Sequence, residues 1–589
     1  MSAAVLGVER SLTGRRWRPR LADDRAGLAL AQRLALPEIV GRVLAARGVS
    51  AEAAQGFLAP RLRQALPDPS CLQDLDRAVA RLVRAIEGGE RIAVFADYDV
   101  DGATGAALLY RYLAAIGAPP LLYIPDRLTE GYGVGGEALA ALQSRGAGVA
   151  ITVDCGITAF EPLAASRARG LDVIVVDHHV AEPRLPEACA VIDPNRLDDT
   201  SGLGGLSAVG VAFLLAVGLN RALRGRFSAT RPEPDLRRWL DLVCLGTVCD
   251  LAPLTGLNRA FVAQGLKVMA RRGNLGIAAL IDVAGVREAP GTYHVGFLLG
   301  PRINAGGRVG DSALGVRLLT TEDAAEAAAL AARLDAFNRE RQAIEAMVER
   351  AALEALGAAP DGPVVFAAGA GWHPGVVGIV AARLVERFAR PAFVLGIDGD
   401  EARGSARSVP GVDVGSAVIA ARQAGVLEAG GGHPAAAGLT VRRDRIAALE
   451  AFLTERLGPA LAGRTSPQLG LDGAIRITAA TPELAERLAR VGPFGMGNAE
   501  PRFAVADARI AYADVVADRH LRLRLVDEAG GRLEAMAFRS VDTELGRALM
   551  TAAGRPLHLA GHLRIDHFRG RERARLMVED AARPAGEKP

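Results

Sequence analysis

Between residues 75 and 176, short apolar runs alternate with longer amphipathic stretches. The short runs are rich in Val and Ile and end at a polar residue, which is typical of strands buried on both faces of a parallel sheet. The longer stretches predict helices that cover the sheet. The predicted strands are Ile92–Ala96, Val149–Val153 and Val173–Val176, and the predicted helices are Leu75–Glu87 and Ala103–Ile116. In such an α/β sheet, ligands bind at the edge where the strands end.

Farther along the chain, the pattern changes twice. The stretch Thr321–Leu356 contains no Pro or Gly and predicts one long helix, roughly 50 Å at 1.5 Å per residue. It connects to a second predicted α/β domain, and after residue 468 short alternating strands predict a small β-barrel. The strands predicted in these two domains are Val364–Ala367, Ala392–Leu395, Leu521–Val526 and His558–Ile565, with a loop at Pro459–Pro467 between the domains.

These changes divide the chain into five predicted parts. We expect an N-terminal helical region at 1–75, a first α/β domain at 76–320, a connecting helix at 321–358, a second α/β domain at 359–458 and the barrel at 466–583. The most apolar stretch, Gly205–Leu219, has 15 residues and contains glycines. It predicts a buried helix, since a membrane span needs about 20 apolar residues.

The amino-acid composition does not identify a binding partner. The 589 residues include 70 basic and 67 acidic side chains, so the net charge of +3 says nothing about nucleic acid. All the basic residues except Lys267 and Lys588 are arginine. Five cysteines in a chain of this length form neither a disulfide framework nor a CxxC metal motif, and we expect a protein of the reducing cytoplasm with no membrane segment.

Three carboxylates follow the first predicted strand, in the order Asp97, Asp99 and Asp101. Carboxylates at this spacing repel one another unless a cation lies among them. A calcium loop also spaces acids by two, but it needs a glutamate at position 12, which here is Leu108 within an apolar helix. The motif therefore predicts a cation site of another kind.

Acids and imidazoles also follow three further apolar runs, at Asp154, at Asp177-His178-His179 and at Asp250. Any one such Asp is more often a helix N-cap than a ligand. We expect each of these four apolar runs to be a strand, and four strand ends that all carry an acid or an imidazole favour a shared metal site. Carboxylate with imidazole, without thiolates, suits Mn²⁺ or Mg²⁺ better than structural zinc. Two such ions bridged by a carboxylate activate water for phosphoryl chemistry.

At these residues the chain resembles the DHH phosphoesterase superfamily. The motifs that carry the resemblance are Asp97–Gly102, Asp154–Gly156, Asp177–His179 and Asp250. Three further stretches resemble the RecJ family within it, namely Arg302–Arg308, Gly371–Gly375 and Gly431–Pro434. The resemblance runs from about residue 75 to about 580. It implies a parallel-sheet DHH domain, a long connecting helix, a DHH-associated α/β domain and a C-terminal OB-fold barrel.

The resemblance also assigns roles in a two-ion site. It implies that Asp101, Asp154, His178 and Asp250 bind one Mn²⁺ or Mg²⁺ ion. Asp97 and Asp99 match the side of the second ion, where they would act in catalysis, and Asp154 would bridge the two. His179 matches a catalytic residue near the scissile phosphate. The chain departs from the family pattern at Ala96, Gly306 and Pro434, where we expect Gly, Ala and a small residue.

Several arginines are candidates for contacts with DNA phosphates. Arg302 and Arg308 flank what the sequence predicts to be a Gly-rich turn, with Asn304 between them, and guanidinium groups bind phosphate oxygens bidentately. Arg127 and Tyr132 offer faces on which unpaired bases stack. The resemblance implies that Ser405 and Arg407 contact a 5′-phosphate and that His433 contacts the substrate. Basic clusters with Phe568 in the barrel predict a groove for single strands.

The resemblance implies a 5′→3′ exonuclease that degrades single-stranded DNA to mononucleotides in DNA repair and recombination. We expect a helicase and a single-strand-binding protein as partners, because the sequence has no Walker A motif to drive unwinding. Two alternatives stay open. One is a DHH phosphoesterase acting on short oligonucleotides or cyclic dinucleotides, which would not need the barrel. The other is a non-catalytic single-strand-binding scaffold, which would be expected to have lost the carboxylates.

Overall fold

The computed structural model describes residues 3–126, 130–131, 133–229, 232–357, 362–462, 467–552, 554–568 and 571–584. The chain begins with a short strand and small helices, most of them with a buried apolar face. These elements are β1 (Arg16–Pro19), α1 (Asp24–Leu34), α2 (Glu38–Ala45), α3 (Ala51–Leu58) and α4 (Leu62–Ala65).

A parallel five-stranded sheet follows, as the apolar runs predict. Its strands and helices are α5 (Leu75–Gly88), β2 (Arg91–Ala96), α6 (Val100–Ala115), β3 (Leu121–Tyr123), α7 (Gly136–Ser144), β4 (Ala147–Val153), α8 (Phe160–Ala168), β5 (Asp172–Val176) and β6 (Ala190–Ile192). The strand order is β3-β2-β4-β5-β6, and every neighbouring pair is parallel. Separate apolar cores cover its two faces. The predicted α/β class is therefore confirmed.

Helices complete this part of the chain. They are α9 (Ala208–Ala222), α10 (Leu240–Cys249), α11 (Gly256–Met269), α12 (Leu275–Val283), α13 (Thr292–His294), α14 (Gly300–Val309), α15 (Leu314–Thr320) and α16 (Ala324–Leu356). Helix α9 is almost wholly buried, as predicted for this apolar stretch. None of the helices within the described residues is both long and apolar enough to cross a membrane.

The long helix α16 belongs to two cores. Its first turn is capped by Asp323, whose carboxylate accepts hydrogen bonds from the backbone N–H groups of Ala325 and Glu326. Leu330 lies in the core of the first α/β domain, whereas Val348 lies in the core of the second. The helix therefore connects the two domains and is packed into a core at each end.

The second α/β domain is a mixed sheet. Its elements are β7 (Val365–Ala370), α17 (Pro374–Phe388), β8 (Ala392–Asp398), β9 (Glu401–Arg407), α18 (Val414–Gln423), β10 (Ala429–His433), β11 (Ala436–Arg442) and α19 (Ile446–Ala462). The strand order is β10-β11-β9-β8-β7. The loop predicted at Pro459–Pro467 is wrong in its first part, since α19 continues through Pro459 to Ala462. Proline removes one backbone donor, and the helix ends within a turn of it.

The C-terminal domain is a closed barrel, as predicted. Its elements are β12 (Gln468–Leu471), β13 (Gly473–Ala474), α20 (Pro482–Ala489), β14 (Phe503–Val516), β15 (His520–Val526), β16 (Arg532–Ala537), α21 (Glu544–Thr551), β17 (Pro556–Phe568) and β18 (Arg571–Ala582). The order β14-β15-β16-β18-β17 closes because β17 also pairs with β14. Closure leaves these five strands without a free edge.

The N-terminal segment packs against this barrel. Strand β1 pairs in parallel with β12, Arg16 opposite Gln468. Leu30 and Val43, from α1 and α2, lie in the same apolar core as Phe503 of β14. The two ends of the chain are thus joined in one structural unit, which no local pattern in the sequence indicates.

Candidate metal centre

Three carboxylates meet at one edge of the parallel sheet because the strands before them are neighbours. Asp97, Asp154 and Asp177 follow β2, β4 and β5. The pairing continues into these residues, since the Asp97 N–H donates to the Val153 carbonyl (3.2 Å) and the Asp154 N–H to the Val176 carbonyl (3.0 Å). Asp154 has a φ of 63°, a left-handed conformation that Asp adopts more readily than most residues. The predicted convergence at the strand ends is therefore present.

Helix α6 begins within the acidic motif, three residues earlier than predicted. Asp99 caps it by accepting hydrogen bonds from the N–H groups of Asp101 (2.9 Å) and Gly102 (3.1 Å). The cap places Asp101 in the first turn, fully enclosed. Gly102 is required here, since a Cβ atom would lie 2.4 Å from the Asp97 carbonyl oxygen. Asp99 is thus both a helix cap and a member of the acidic group.

Asp101 is held by a second helix. Its two carboxylate oxygens accept hydrogen bonds from the N–H groups of Ala208 (2.6 Å) and Val209 (3.0 Å), in the first turn of α9. A helix N-terminus favours a negative charge through its unpaired N–H groups and its dipole. These bonds fix the orientation of the Asp101 side chain.

Asp177 holds the two histidines rather than joining the group of facing carboxylates. It is buried, and its oxygens accept hydrogen bonds from the N–H groups of Ile157 (3.0 Å), His178 (2.8 Å) and His179 (3.2 Å). The same carboxylate lies 2.7 Å from Nδ1 of the His179 ring. This contact fixes the position of that ring.

The side chains that converge form three overlapping groups whose ligand atoms lie within 4.8 Å of one another. Two of them share Asp154, so one carboxylate lies between the acidic motif of α6 and the histidines. His178 Nε2 lies 3.2 Å from Asp154 Oδ1 and 3.9 Å from Asp101 Oδ2. The groups are Asp97 with Asp99 and Asp154, Asp101 with His178 and Asp250, and Asp154 with His178 and His179.

Asp250 reaches the group from a helix. We expected a strand end, which is wrong: Asp250 follows the last residue of α10. Its Oδ2 lies 3.7 Å from Nδ1 of His178. The apolar run before it is buried among helices, and a run of this length does not distinguish a buried helix from a buried strand.

Burial and like charge raise the pKa of the carboxyls in this centre. Burial, followed by the charge of Asp250, raises the pKa of Asp101 to about 7. Burial and the charge of Asp99 raise that of Asp250 to about 7, and burial with four neighbouring carboxylates raises that of Asp154 well above its usual range. Burial opposes a charge on His179, but its bond to Asp177 and the nearby carboxylates raise its pKa to about 9.

These residues fit divalent cations. Asp154 Oδ1 and His178 Nε2 are buried and have no hydrogen-bond partner among the described residues. A buried polar atom without a partner costs free energy, which a bound cation would remove. Carboxylate oxygens with one or two imidazoles are the donors that Mn²⁺ and Mg²⁺ take in proteins.

The predicted phosphate contacts at Arg302 and Arg308 lie in a helix. The Gly-rich turn expected there is wrong, since residues Arg302, Asn304 and Arg308 belong to α14. The glycines permit close packing instead: a Cβ atom on Gly307 would lie 3.3 Å from the ring of Tyr98. Arg302 forms an ion pair with Asp335 of α16 (2.9 Å). Arg308 donates to the Gly375 carbonyl at the start of α17 (2.8 Å), and Asn304 is half-buried.

Ser405 and Arg407, for which the resemblance implies contacts with a 5′-phosphate, lie together on β9. Arg407 Nη1 donates to Ser405 Oγ at 2.8 Å. Helix α17 passes directly over them, because a Cβ atom on Gly378 would lie 3.0 Å from both side chains. His433 is exposed at the end of β10. Arg127 and Tyr132, predicted to contact bases, lie outside the described residues.

Two residues of this site were missed by sequence reasoning. Asp193 follows β6, the fourth strand end at the same edge, and its Oδ1 accepts from the Asn195 N–H (2.7 Å). Asn195 Nδ2 donates in turn to the backbone carbonyl of His178 (2.6 Å). The signal was an apolar triplet before Asp193, but three residues are too few to predict a strand.

Comparisons with known proteins agree with this architecture. Three family models match the chain: the DHH family N-terminal domain at residues 91–247, the DHHA1 domain at 361–458 and the RecJ OB domain at 471–580. The single-stranded-DNA-specific exonuclease RecJ of Bacillus subtilis is 34% identical over 576 residues, which cover 96% of this chain and 71% of that protein. RecJ of Escherichia coli is 35% identical over a match that covers 92% of this chain and 96% of that protein.

Solved structures extend the comparison. The crystal structure of Thermus thermophilus RecJ with Mn²⁺ superposes with a TM-score of 0.79 at 30% identity, over 97% of this chain and 78% of that one. The structure of the same protein with Mg²⁺ superposes with a TM-score of 0.75 at 28% identity, over 96% of this chain and 78% of that one. Family models, full-length relatives and whole-chain folds all agree, and the chain therefore belongs to the RecJ family of the DHH phosphoesterases.

Proposed function

We propose that this protein is a single-stranded-DNA-specific exonuclease that hydrolyses phosphodiester bonds with two divalent cations, Mn²⁺ or Mg²⁺. The observation that carries the proposal is the set of overlapping ligand groups that share Asp154. Relatives named as exonucleases match this chain over most of its length, which supports the same activity. A non-catalytic scaffold would have no use for so many buried like charges in one place.

The chain's carboxylates divide between the two cations. Asp97, Asp99 and Asp154 would hold one, and Asp101, Asp154, His178 and Asp250 the other. When bound, such a pair supplies an activated water and neutralises the charge that develops on the phosphoryl group. Asp99 and Asp101 are already fixed by α6 and α9, so that little ordering of side chains is needed on binding.

His179 would contact the scissile phosphate. Without cations, and against the effect of burial, its bond to Asp177 and the charges of Asp250 and Asp97 raise the pKa of His179 to about 9. A protonated imidazole beside a phosphoryl group stabilises negative charge by a charge-assisted hydrogen bond. Its ring is 36% exposed, whereas that of His178 is 15% exposed, so His179 is the one of the pair that a substrate reaches more readily.

Polarity would come from the second α/β domain. Ser405 and Arg407 combine a hydroxyl and a guanidinium beneath α17, a set of donors that suits a terminal 5′-phosphate. Anchoring one end of the strand would place the bond that is cut at a fixed distance from that end and release mononucleotides in the 5′→3′ direction. His433, Arg302, Asn304 and Arg308, with Arg127 and Tyr132, stay as proposed substrate contacts.

The proposed domains divide this work. Residues 76–320 would carry the metals, 321–358 would tether 359–458 over the DNA strand, and 466–583 would bind more distant nucleotides. Region 1–75 packs on the barrel through α1 and α2 and on the first α/β domain through α4. We infer a helicase and a single-strand-binding protein as partners in DNA repair and recombination, since duplex must be opened first. All five cysteines are free thiols, which suits the cytoplasm.

The test is the digestion of strands labelled at either end, with and without a 5′-phosphate. Arg407→Ala should slow the digestion of 5′-phosphorylated strands by at least about tenfold and affect 5′-hydroxyl strands much less, because only the first offers a terminal phosphate. Arg403→Ala is the matched control, since Arg403 is exposed on the same strand and, among the described residues, pairs with Glu401 alone. Early release of 3′ label, or an equal loss on both 5′ chemistries, would contradict the proposed polarity.

A further inference from the structure

A cleft of about 680 Å³ lies between α4 and the first α/β domain, and seven of its fifteen lining residues are basic. They come from the start of α4, the segment Leu236–Trp239, the end of α11 and the middle of α6. Asp235 is its one acidic lining residue. The basic residues of this cleft are Arg61, Arg63, Arg111, Arg237, Arg238, Lys267 and Arg271. We call it the basic cleft.

Most of the charge in the basic cleft is not compensated by the protein. Asp235 pairs with Arg237 (2.8 Å), and Arg111 pairs with Glu322 and donates to the Leu319 carbonyl (2.8 Å). The other five basic side chains are exposed and form no ion pair within the described part of the chain. Lys267 is one of only two lysines in the protein. The cleft therefore attracts anions.

The basic cleft is remote from the metal centre. Helix α10 begins at its wall with Leu240 and ends beside Asp250, and α6 begins directly after Asp99 and reaches the cleft with Arg111. Ten residues of helix span about 15 Å. A phosphate bound in the cleft cannot be the one that is cut.

The arrangement of the charges favours an extended polyanion. A small anion needs enclosed donors to bind tightly, but these cations are exposed and come from separate elements. Exposed cations are sufficient for a nucleic acid backbone, because neutralising its phosphates releases condensed counterions. Arginine forks also bind phosphate oxygens bidentately.

We propose that the basic cleft binds the phosphodiester backbone of DNA at a distance from the bond that is cut, as a second anchoring site for long strands. This inference rests on the proposed function, since it takes the substrate to be a strand longer than the catalytic site. A remote contact of this kind holds the strand between successive cleavages. It reads no sequence, because backbone contacts carry no base information.

The test compares two doubly substituted proteins with the same change in net charge. The cleft variant carries Lys267→Glu and Arg271→Glu. The control variant carries Arg350→Glu and Arg456→Glu, on α16 and α19. Both control arginines are exposed and form no ion pair in the described chain. Binding is measured in EDTA with a strand of about 40 nucleotides, longer than the roughly 4–16 that an OB fold covers. Hydrolysis of a strand of about 6 nucleotides is measured with Mn²⁺.

We expect the cleft variant to bind the long strand at least about fivefold more weakly than the control, with a salt slope less steep by roughly 1.4 for two lost phosphate contacts. Hydrolysis of the short strand should be unchanged. Equal affinity and equal slope in the two variants would overturn the inference. The inference would also be overturned if the cleft variant bound a nucleoside triphosphate more weakly than the control but bound the long strand equally well. That result would assign the cleft to free nucleotides.

Binding in EDTA does not depend on turnover. If the wild type binds long strands through the cleft but cleaves none with Mn²⁺, the proposed function fails and the cleft stands. If it cleaves short strands and the two variants bind alike, the cleft fails and the proposed function stands.

Discussion

The metal centre and the contact around Arg259 both bury charge, but they treat it in opposite ways. Asp154 is 3% exposed and lies among carboxylates of the same sign. Arg259, on α11, is 2% exposed and donates to the backbone carbonyls of Phe57 (2.8 Å) and Val491 (2.8 Å). It thereby joins the N-terminal segment, the first α/β domain and the part of the C-terminal domain that follows α20.

The difference shows which buried charges serve stability and which serve function. Arg259 Nε and Nη2 donate to backbone carbonyls, and its guanidinium lies 3.7 Å from the centre of the Phe57 ring, while Nη1 alone has no hydrogen-bond partner among the described residues. Its pKa, lowered to about 10 by burial, leaves it charged at neutral pH. The carboxylates of the metal centre lack enough cationic partners of their own. A buried charge that the fold compensates holds domains together, whereas one that it leaves uncompensated marks a site for an ion from outside.

The largest effect is expected at the shared carboxylate. Asp154→Asn keeps a residue that tolerates the left-handed backbone but removes the charge common to two ligand groups. Turnover of single-stranded DNA should fall by at least about 10³-fold, or roughly 4 kcal/mol of transition-state stabilisation, with an unchanged circular dichroism spectrum. Asp444→Asn, an exposed carboxylate paired with Arg442, is the control. More than about a tenth of wild-type turnover would refute the role of Asp154.

Substitution of Arg259, the buried charge that the fold compensates, should lower stability rather than turnover. Arg259→Met fills a similar volume but leaves the carbonyls of Phe57 and Val491 without their donor. We expect roughly 2–4 kcal/mol of destabilisation, because buried acceptors lose their hydrogen bonds. The thermal midpoint, compared with that of Arg333→Met on the exposed face of α16, measures it. A midpoint equal to that of the control would show that Arg259 does not hold these segments together.

The smallest effect is expected for Asp250→Asn, which should gain stability at high pH only. The pKa of Asp250 is about 7 in the folded protein, raised by burial and by Asp99, against about 3.8 when unfolded. The folded state therefore binds the extra proton between about pH 4 and 7, and the contribution of Asp250 to stability falls as pH rises through that window. In EDTA, Asp250→Asn should be more stable than the wild type by roughly 1–3 kcal/mol at pH 8 and nearly equal to it near pH 4.

Chemical denaturation at the two pH values measures this difference. A variant less stable than the wild type at pH 8, or a difference that does not change with pH, would mean that Asp250 is compensated like Arg259. Asp444→Asn, which is exposed and paired with Arg442, should show no gain at pH 8.

The sequence predicted the parts of this site that follow long buried strands. Strands covered on both faces must be continuous apolar runs, so Asp97, Asp154 and Asp177 stood out at their ends. The short strand before Asp193 was too brief to notice. Asp250 was placed on a strand because helix α10 is apolar on every side. Periodicity disappears when an element is buried all round.

Other parts depend on contacts between distant segments. The glycines around Arg302 and Arg308 predicted a turn, but they lie in a helix, where Gly307 packs against Tyr98 and Gly306 against Leu334, which only the tertiary structure reveals. The pairing of β1 with β12 joins residues about 450 positions apart, as between Arg16 and Gln468. Local propensity carries no information about such a partner, since strand pairing depends on packing in the folded chain.

We infer that the uncompensated carboxylates form a metal site. The most direct test of this inference is the number of Mn²⁺ ions that the protein binds. Isothermal titration with the wild type, with Asp154→Asn and with Asp444→Asn measures it without any substrate. The account predicts two ions per chain for the wild type and for Asp444→Asn, and the loss of tight binding at both positions in Asp154→Asn, because that carboxylate lies in two of the ligand groups. Two ions bound equally tightly by Asp154→Asn, or none bound by the wild type, would contradict it.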